Sequence, residues 1–266
     1  IVYYIKTTSI FNWVCKKVTH FYTLIFCLLF RRFDYFYNLI IRYSMNSLEL
    51  FCGMKCVSKV LDTKGYNTTT LDFNKKFDPT FCEDILEWDY KQFQPSHFKV
   101  IWASPDCTSW SIASGGIHRK KSNINGHSDT AVLGNRMIAR LTEIIDYFKP
   151  EFWFIENPRG LLTHYPPFKN WLSLQNGNQV TVFYGNYGWG FPKPTHIWSN
   201  TTLWNNEKKP VMGDDSYTVS KDYWMCSQTG NPDRVRRFYK DYKSGTSASR
   251  SMIPTPLIEK LLNLTE

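Results

Sequence analysis

One cysteine in this chain of 266 residues stands where a reactive thiol would be useful. Cys107 follows the apolar run 99–103 and the turn residues Ser104, Pro105 and Asp106, among which the proline stiffens the turn. A thiol exposed on a rigid turn is suited to nucleophilic attack, provided that its pKa is lowered. Most unpaired cysteines are ordinary buried thiols, so Cys107 alone leaves both interpretations open.

A carboxylate stands in a comparable place further along the chain. Glu156 ends the apolar run 152–155, where we expect it to be partly buried. A partly buried carboxyl group can donate a proton near neutral pH, which is the property of a general acid. The alternative is a structural hydrogen bond to a neighbouring loop, since Asn157 and Pro158 provide turn chemistry.

The elements that must position these residues alternate between short strands and helices from Met45 onward. Helices are predicted near residues 57–61, 132–148 and 253–264, and strands at 48–51, 67–71, 99–103, 152–155 and 179–184. Such alternation indicates an α/β fold with a mostly parallel sheet. Because ligands bind at the carboxyl ends of parallel strands, five residues are expected to meet there: Gly53, Asp72, Asp84, Cys107 and Glu156.

Composition indicates a folded protein with a modest preference for polyanions. The chain is 42% hydrophobic and 17% aromatic, which argues against disorder. Its net charge is +9, but residues 1–44 supply +5 of that charge, with six Lys or Arg and one Asp. Residues 45–266 carry 26 basic and 22 acidic residues, and this small excess of positive charge is only a weak indication of nucleic-acid binding.

Residues 1–44 are expected to lie outside the fold, as a non-native or disordered extension. Their apolar run, residues 21–30, is too short to span a bilayer, and the first methionine, Met45, directly precedes a predicted strand. The seven cysteines show no CxxC pair and no regular spacing, so neither a disulfide framework nor a zinc site is indicated. A reducing, cytoplasmic location without a bound metal is therefore expected.

Four motifs, in one order and spacing, resemble the DNA cytosine-C5 methyltransferase family, especially its small phage- and virus-like members. They are residues 48–53 (Leu-Glu-Leu-Phe-Cys-Gly), the acids Asp72 and Asp84, residues 103–111 around Cys107, and residues 155–160 around Glu156. The resemblance implies a Rossmann-like S-adenosylmethionine-dependent methyltransferase fold with a small target-recognition insertion. It also implies S-adenosyl-L-methionine as the cofactor and double-stranded DNA as the partner. We further expect a monomer, without membrane association of the chain from Met45 onward.

The same resemblance implies roles for individual residues. Cys107 would attack C6 of a cytosine flipped out of the duplex, and Glu156 would protonate N3, so that C5 becomes nucleophilic. The cofactor would contact Phe51, Gly53, Asp72, Asp84, Ser104 and Pro105. The substrate would contact Ser111, Arg119, Lys120, Asn157, Arg159, Lys193 and Thr195.

Three segments complete the predicted organisation around a catalytic domain at 45–198. Residues 115–121 (Gly-Gly-Ile-His-Arg-Lys-Lys) suit a lid over a phosphate backbone, with a solvated loop as the alternative. Residues 199–247 are assigned to a target-recognition region, because basic and aromatic residues interleave near its end. Residues 248–266 are predicted to return to the catalytic domain as a C-terminal helix.

Departures from the family pattern keep two further functions open. Residues 54–56 (Met-Lys-Cys) stand where the cofactor turn usually has further glycines, and Asp106 replaces the usual second proline. The arginines of a Gln-x-Arg-x-Arg motif are absent from residues 187–195, with Lys193 and Thr195 as the nearest substitutes. These departures leave a degenerate, non-catalytic nucleic-acid-binding relative as one alternative. The small recognition region leaves an RNA (tRNA) cytosine-C5 methyltransferase as the other.

Overall fold

The computed structural model describes residues 45–112, 116–188, 192–209 and 252–265. All of these residues belong to one unit that begins at Met45. The predicted extension at 1–44 and most of the predicted recognition region lie outside the described residues.

A six-stranded sheet forms the centre of this unit, with strands β1 (Asn46–Leu50), β2 (Asn67–Leu71), β3 (Val100–Ala103), β4 (Phe152–Pro158), β5 (Asn178–Phe183) and β6 (Pro194–Ser199). Their order across the sheet is β2-β1-β3-β4-β6-β5. Strands β1 to β4 pair in parallel, whereas β6 runs antiparallel to both β4 and β5. The predicted Rossmann-like α/β fold with a mostly parallel sheet is therefore confirmed.

Among the described residues, four α-helices cover the sheet: α1 (Cys56–Thr63), α2 (Asp129–Phe148), α3 (Pro166–Leu174) and α4 (Thr255–Leu262). Apolar residues of α2 and α3 pack against one face, together with Ile101 and Ala103 of β3. Apolar residues of α1 and α4 pack against the other face, together with Val100 and Trp102. Successive β3 side chains thus enter opposite cores, as expected for a strand that is buried on both faces.

Local signals account for most of these elements but not for α3 and β6. The strand at 67–71 has the predicted bounds. Helix α2 begins three residues before its predicted start, because the Ser128 hydroxyl accepts a hydrogen bond from Ala131 N–H and caps it. Helix α3 opens with two prolines, which are also common in loops, and β6 is a buried strand in which half of the residues are polar and apolar residues do not alternate with them.

Residues 201–209 lie along β5 at the edge of the sheet. The Glu207 N–H donates to the Thr181 carbonyl at 2.9 Å. The Glu207 carboxylate accepts a hydrogen bond from the Tyr187 hydroxyl and lies 3.5 Å from Nζ of Lys260 in α4. This part of the predicted recognition region therefore packs against the sheet, where it satisfies backbone groups of the edge strand β5.

Candidate active site

The chain turns sharply after β3 and carries Cys107 at the carboxyl edge of the sheet, where it is half-buried. The Cys107 carbonyl accepts hydrogen bonds from the N–H groups of Trp110 at 3.0 Å and Ser111 at 2.8 Å. The Asp106 carboxylate accepts from the Thr108 N–H at 3.1 Å and from the Thr108 hydroxyl at 2.8 Å. These local hydrogen bonds hold the turn around Cys107 in one conformation.

Glu156 lies near the end of β4, the strand next to β3, and is 4% exposed. Its Oε1 accepts a hydrogen bond from the Tyr184 hydroxyl at 2.8 Å. The next residue, Asn157, is fully buried and donates from Nδ2 to the Pro105 carbonyl at 2.9 Å. Asn157 therefore ties the strand that carries Glu156 to the turn that carries Cys107.

The loop after β4 touches the loop that follows Cys107. The Leu161 N–H donates to the Trp110 carbonyl at 2.8 Å, and Gly160 forms an isolated antiparallel bridge with Ser111. The backbones approach so closely here that a Cβ at Gly160 would overlap the Trp110 carbonyl. A residue without a side chain is therefore needed at this contact.

A cavity of about 410 Å³ contains both predicted catalytic residues, Cys107 and Glu156. The same cavity is lined by five of the six residues predicted to hold the cofactor: Phe51, Gly53, Asp72, Ser104 and Pro105. The sixth, Asp84, lines a second cavity of about 190 Å³. The two cavities share four lining residues, namely Phe51, Asp72, Phe73 and Asp106. The structure thus brings the predicted nucleophile, acid and cofactor residues together at the edge of the sheet where the parallel strands end.

The turn between β1 and α1 keeps a tight shape despite its missing glycines. Phe51, Gly53 and Lys55 have φ values of 57°, 47° and 54°, in the left-handed region that glycine adopts most easily. The Asp72 carboxylate accepts hydrogen bonds from Gly53 N–H and Asn74 N–H, each at 2.9 Å. Lys55 adopts the left-handed backbone conformation at a cost of about 1–2 kcal/mol in conformational free energy. The residues that replace glycine therefore strain the turn without opening it.

Glu49, the last residue but one of β1, is a polar residue of the cavity that sequence reasoning missed. Its carboxylate accepts hydrogen bonds from Val57 N–H at 3.3 Å and Ser58 N–H at 2.8 Å, at the start of α1. These groups would otherwise lack partners at a helix N-terminus. Burial raises the pKa of Glu49 to about 7. The available signal was an acid between two apolar residues, Leu48 and Leu50, of a predicted strand.

The surroundings of Cys107 disfavour the thiolate in the free protein. Burial raises the pKa of Cys107 to about 11, and the carboxylates of Glu156 and Asp106 act in the same direction. Lys193, another residue of the cavity, acts in the opposite direction. The lowered pKa expected of an activated thiol is thus absent here, so the sulfur must lose a proton before or during an attack.

Comparison with known proteins agrees with this arrangement. Residues 45–176 match the family model described as C-5 cytosine-specific DNA methylase. These residues are a C-5 cytosine-specific DNA methylase domain. The chain is also 28% identical, over 236 residues, to the "Probable DNA (cytosine-5)-methyltransferase" of Frog virus 3 (isolate Goorha), covering 83% of this chain and 100% of that protein.

Solved structures match at lower sequence identity. The "putative DNA modification methyltransferase" encoded within an E. coli prophage matches with a TM-score of 0.44 and 15% identity, over 64% of this chain and 52% of that one. A Spodoptera frugiperda DNMT2 matches with a TM-score of 0.41 and 16% identity, over 66% of this chain and 57% of that one. The chain spans between about half and three fifths of the length of these two proteins.

Arg119, predicted to contact the substrate, is instead a buried structural residue of the methylase domain. Its guanidinium donates to the Ser109 carbonyl at 2.9 Å, the Ala131 carbonyl at 2.9 Å and the Ile124 carbonyl at 2.7 Å. It also lies 3.4 Å from the ring centre of Trp110. A side chain held in this way is not free to reach a phosphate, so the prediction for Arg119 is wrong. The sequence alone does not show that Arg119 is buried while Lys120, its neighbour in the predicted lid, is exposed.

The other residues expected at the substrate differ in their exposure. Lys193 lines the large cavity, and both Lys120 and Arg159 are exposed. Thr195 is fully buried in β6, where its hydroxyl donates to the Lys193 carbonyl at 3.1 Å. It therefore supports Lys193 and does not present a surface to a substrate, contrary to the prediction. Asn157 is buried as well, although its Oδ1 has no hydrogen-bond partner among the described residues.

Neither a metal site nor a membrane span is found in the part of the methylase chain that the structure describes. No group of three or more His, Cys, Asp or Glu residues there could hold a metal ion. No helix in the same residues is both long and apolar enough to cross a bilayer.

Proposed function

We propose that the methylase domain transfers a methyl group from S-adenosyl-L-methionine to C5 of cytosine in double-stranded DNA, through a transient bond to Cys107. The observation that carries this proposal is the shared cavity, in which Cys107 and Glu156 face the residues of the cofactor turn. A thiol and a carboxyl group in one cavity supply the nucleophile and the acid that this reaction needs.

The two cavities fit the proposed cofactor in size and chemistry. A volume of about 410 Å³ lies within the usual range for small-molecule sites. Phe51 and Phe73 line both cavities, and Phe73 is 75% exposed, so an aromatic surface is available to an adenine ring. The carboxylates of Asp72 and Asp84 can accept hydrogen bonds from ribose hydroxyls and an adenine amino group. When bound, S-adenosylmethionine supplies an electrophilic methyl group.

The residues of the chain act on the pyrimidine ring. The Cys107 sulfur loses its proton to water and bonds to C6, while Glu156 donates a proton to N3, so that electron density moves to C5. After C5 has gained the methyl group, its original proton leaves to water. The bond between C6 and sulfur then breaks, the released thiolate takes a proton back from water, and N3 returns its proton to Glu156. Each residue ends the cycle in its starting state.

Access to this cavity requires the target base to leave the double helix. Cys107 is half-buried and Glu156 is almost fully buried, so neither can reach a ring that is stacked between its neighbours. The exposed cations Lys120 and Arg159 are suited to hold the phosphate backbone while the base is extruded. Arg159 directly follows Pro158, which itself lines the cavity.

The test is methyl transfer from labelled S-adenosylmethionine to duplex DNA and, separately, to tRNA. We expect 5-methylcytosine in DNA, and a loss of at least about 10³-fold in the Cys107→Ser variant. Cys82→Ser is the matched control, because Cys82 is an exposed free cysteine outside both cavities. Label in tRNA alone would favour the RNA enzyme. Absence of label in both polymers would favour a non-catalytic binder and refute the proposal.

A further inference from the structure

We propose that Tyr184 positions Glu156 for proton transfer, an inference that rests on the proposed function. The antiparallel pairing of β4 with β6 sets Ile197 opposite Glu156. The side chain of an isoleucine has no group that can donate a hydrogen bond to a carboxylate. The side chain that β6 places opposite Glu156 is therefore not a hydrogen-bond partner for it.

The donor comes from the far side of β6 instead. Tyr184 follows β5, is fully buried, and donates from its hydroxyl to Oε1 of Glu156 at 2.8 Å. Burial raises the pKa of Tyr184 well above its usual value, and the adjacent Glu156 carboxylate shifts it further in the same direction. The hydroxyl therefore keeps its proton throughout the neutral range and remains a donor.

The surroundings hold the tyrosine in one orientation. The Thr195 hydroxyl, which donates to the Lys193 carbonyl, lies beside the Tyr184 hydroxyl, and Nζ of Lys193 lies 4.4 Å from the centre of the tyrosine ring. Lys193 also lines the cavity that contains Cys107. Tyr184 thus connects the buried acid to Lys193, which directly precedes β6 and borders the cavity.

This arrangement has a defined consequence for the acid. A donor that occupies Oε1 fixes the plane of the carboxyl group and leaves Oε2 to carry the proton for N3 of the base. The donor is neutral, so it adds no positive charge beside the acid. Tyr184 does not line either cavity, so its removal is expected to affect turnover rather than binding of cofactor or DNA.

The experiment compares Tyr184→Phe with Tyr187→Phe in the full chain. Tyr187 lies in the same short 3-10 helix, and its hydroxyl donates to Glu207, away from the acid. Steady-state rates would be measured with duplex DNA, together with cofactor binding by calorimetry and thermal unfolding. A further readout is the rate at which a duplex containing 5-fluorocytosine becomes covalently attached to the protein.

We expect Tyr184→Phe to lower kcat by about 10- to 150-fold, as for loss of a hydrogen bond to a charged group. The rate of covalent attachment should fall by a similar factor, with KM for DNA and cofactor affinity unchanged within twofold. Tyr187→Phe should keep the wild-type kcat. Thr195→Val, which leaves Tyr184 and Glu156 in place, should lower kcat by a smaller factor and serves as a second test if Tyr184→Phe does not fold.

Each other outcome has a distinct meaning. An active wild type with an equally active Tyr184→Phe would overturn the role of Tyr184 alone. Equal losses in the two tyrosine variants would overturn it too, since they would indicate a general loss of stability. A wild-type chain that neither transfers methyl nor attaches to the fluorinated duplex would refute the proposed function, and this inference with it.

Discussion

Replacing Gly160 with alanine tests whether the two active-site loops must touch for Cys107 and Glu156 to meet. A Cβ at this position would lie 2.2 Å from the carbonyl oxygen of Trp110, 3.1 Å from its carbonyl carbon and 3.2 Å from Cα of Ser111. All three are backbone atoms, so no side chain can rotate away. The alanine can be accommodated only if the two loops move apart.

The size of the effect follows from these distances. Ordinary van der Waals contact begins at 3.4 Å, so the loops must separate by about 1 Å. Overpacking of this kind usually costs about 1–3 kcal/mol of stability. A displacement of about 1 Å between reacting groups can lower turnover by about 100-fold. We therefore expect Gly160→Ala to lose about 100-fold in kcat while it remains folded.

Gly65→Ala is the matched control for this experiment. Gly65 has a φ of +84°, and a Cβ at this position would meet no atom within 4 Å. Alanine is therefore disfavoured there by backbone conformation alone, at about 1–2 kcal/mol. Both variants would be compared by thermal unfolding and by initial rates of methyl transfer. Similar stability with loss of activity only in Gly160→Ala would support the reasoning, whereas a Gly160→Ala variant within threefold of the wild-type rate would refute it.

Two further predictions concern Cys107 and Arg119. Because the pKa of Cys107 is about 11 in the free protein, its alkylation by iodoacetamide should rise about tenfold per pH unit between pH 7 and 10, as followed by peptide mass spectrometry. Asp106→Asn should speed this alkylation at pH 8 by about 1.5- to 5-fold, and a plateau below pH 9 would contradict the expectation. Arg119→Met should cost more than about 3 kcal/mol in urea unfolding, because several buried carbonyls lose their donor. The exposed Lys120→Ala should leave stability unchanged and weaken DNA binding, and equal stability of both variants would count against the structural role of Arg119.

Much of the candidate site could be predicted because its residues lie directly after strands. Cys107 and Glu156 follow apolar runs that form β3 and β4, and neighbouring parallel strands end at the same edge of the sheet. Asp72 could be placed in the same way, after β2. The prediction failed for Arg119, because burial depends on what surrounds a side chain and not on its neighbours in the chain.

The sequence by itself determined most of the strands and helices, the turn that carries Cys107 and several of the residues that line the two cavities. These features depend on local hydrophobic pattern and on turn-forming residues, which act over a few positions. Only the tertiary structure decided that Tyr184, which lies 28 residues after Glu156, is its hydrogen-bond partner. The physical reason is the insertion of β6 between β4 and β5, since pairing between strands distant in the chain brings together side chains that no local pattern relates.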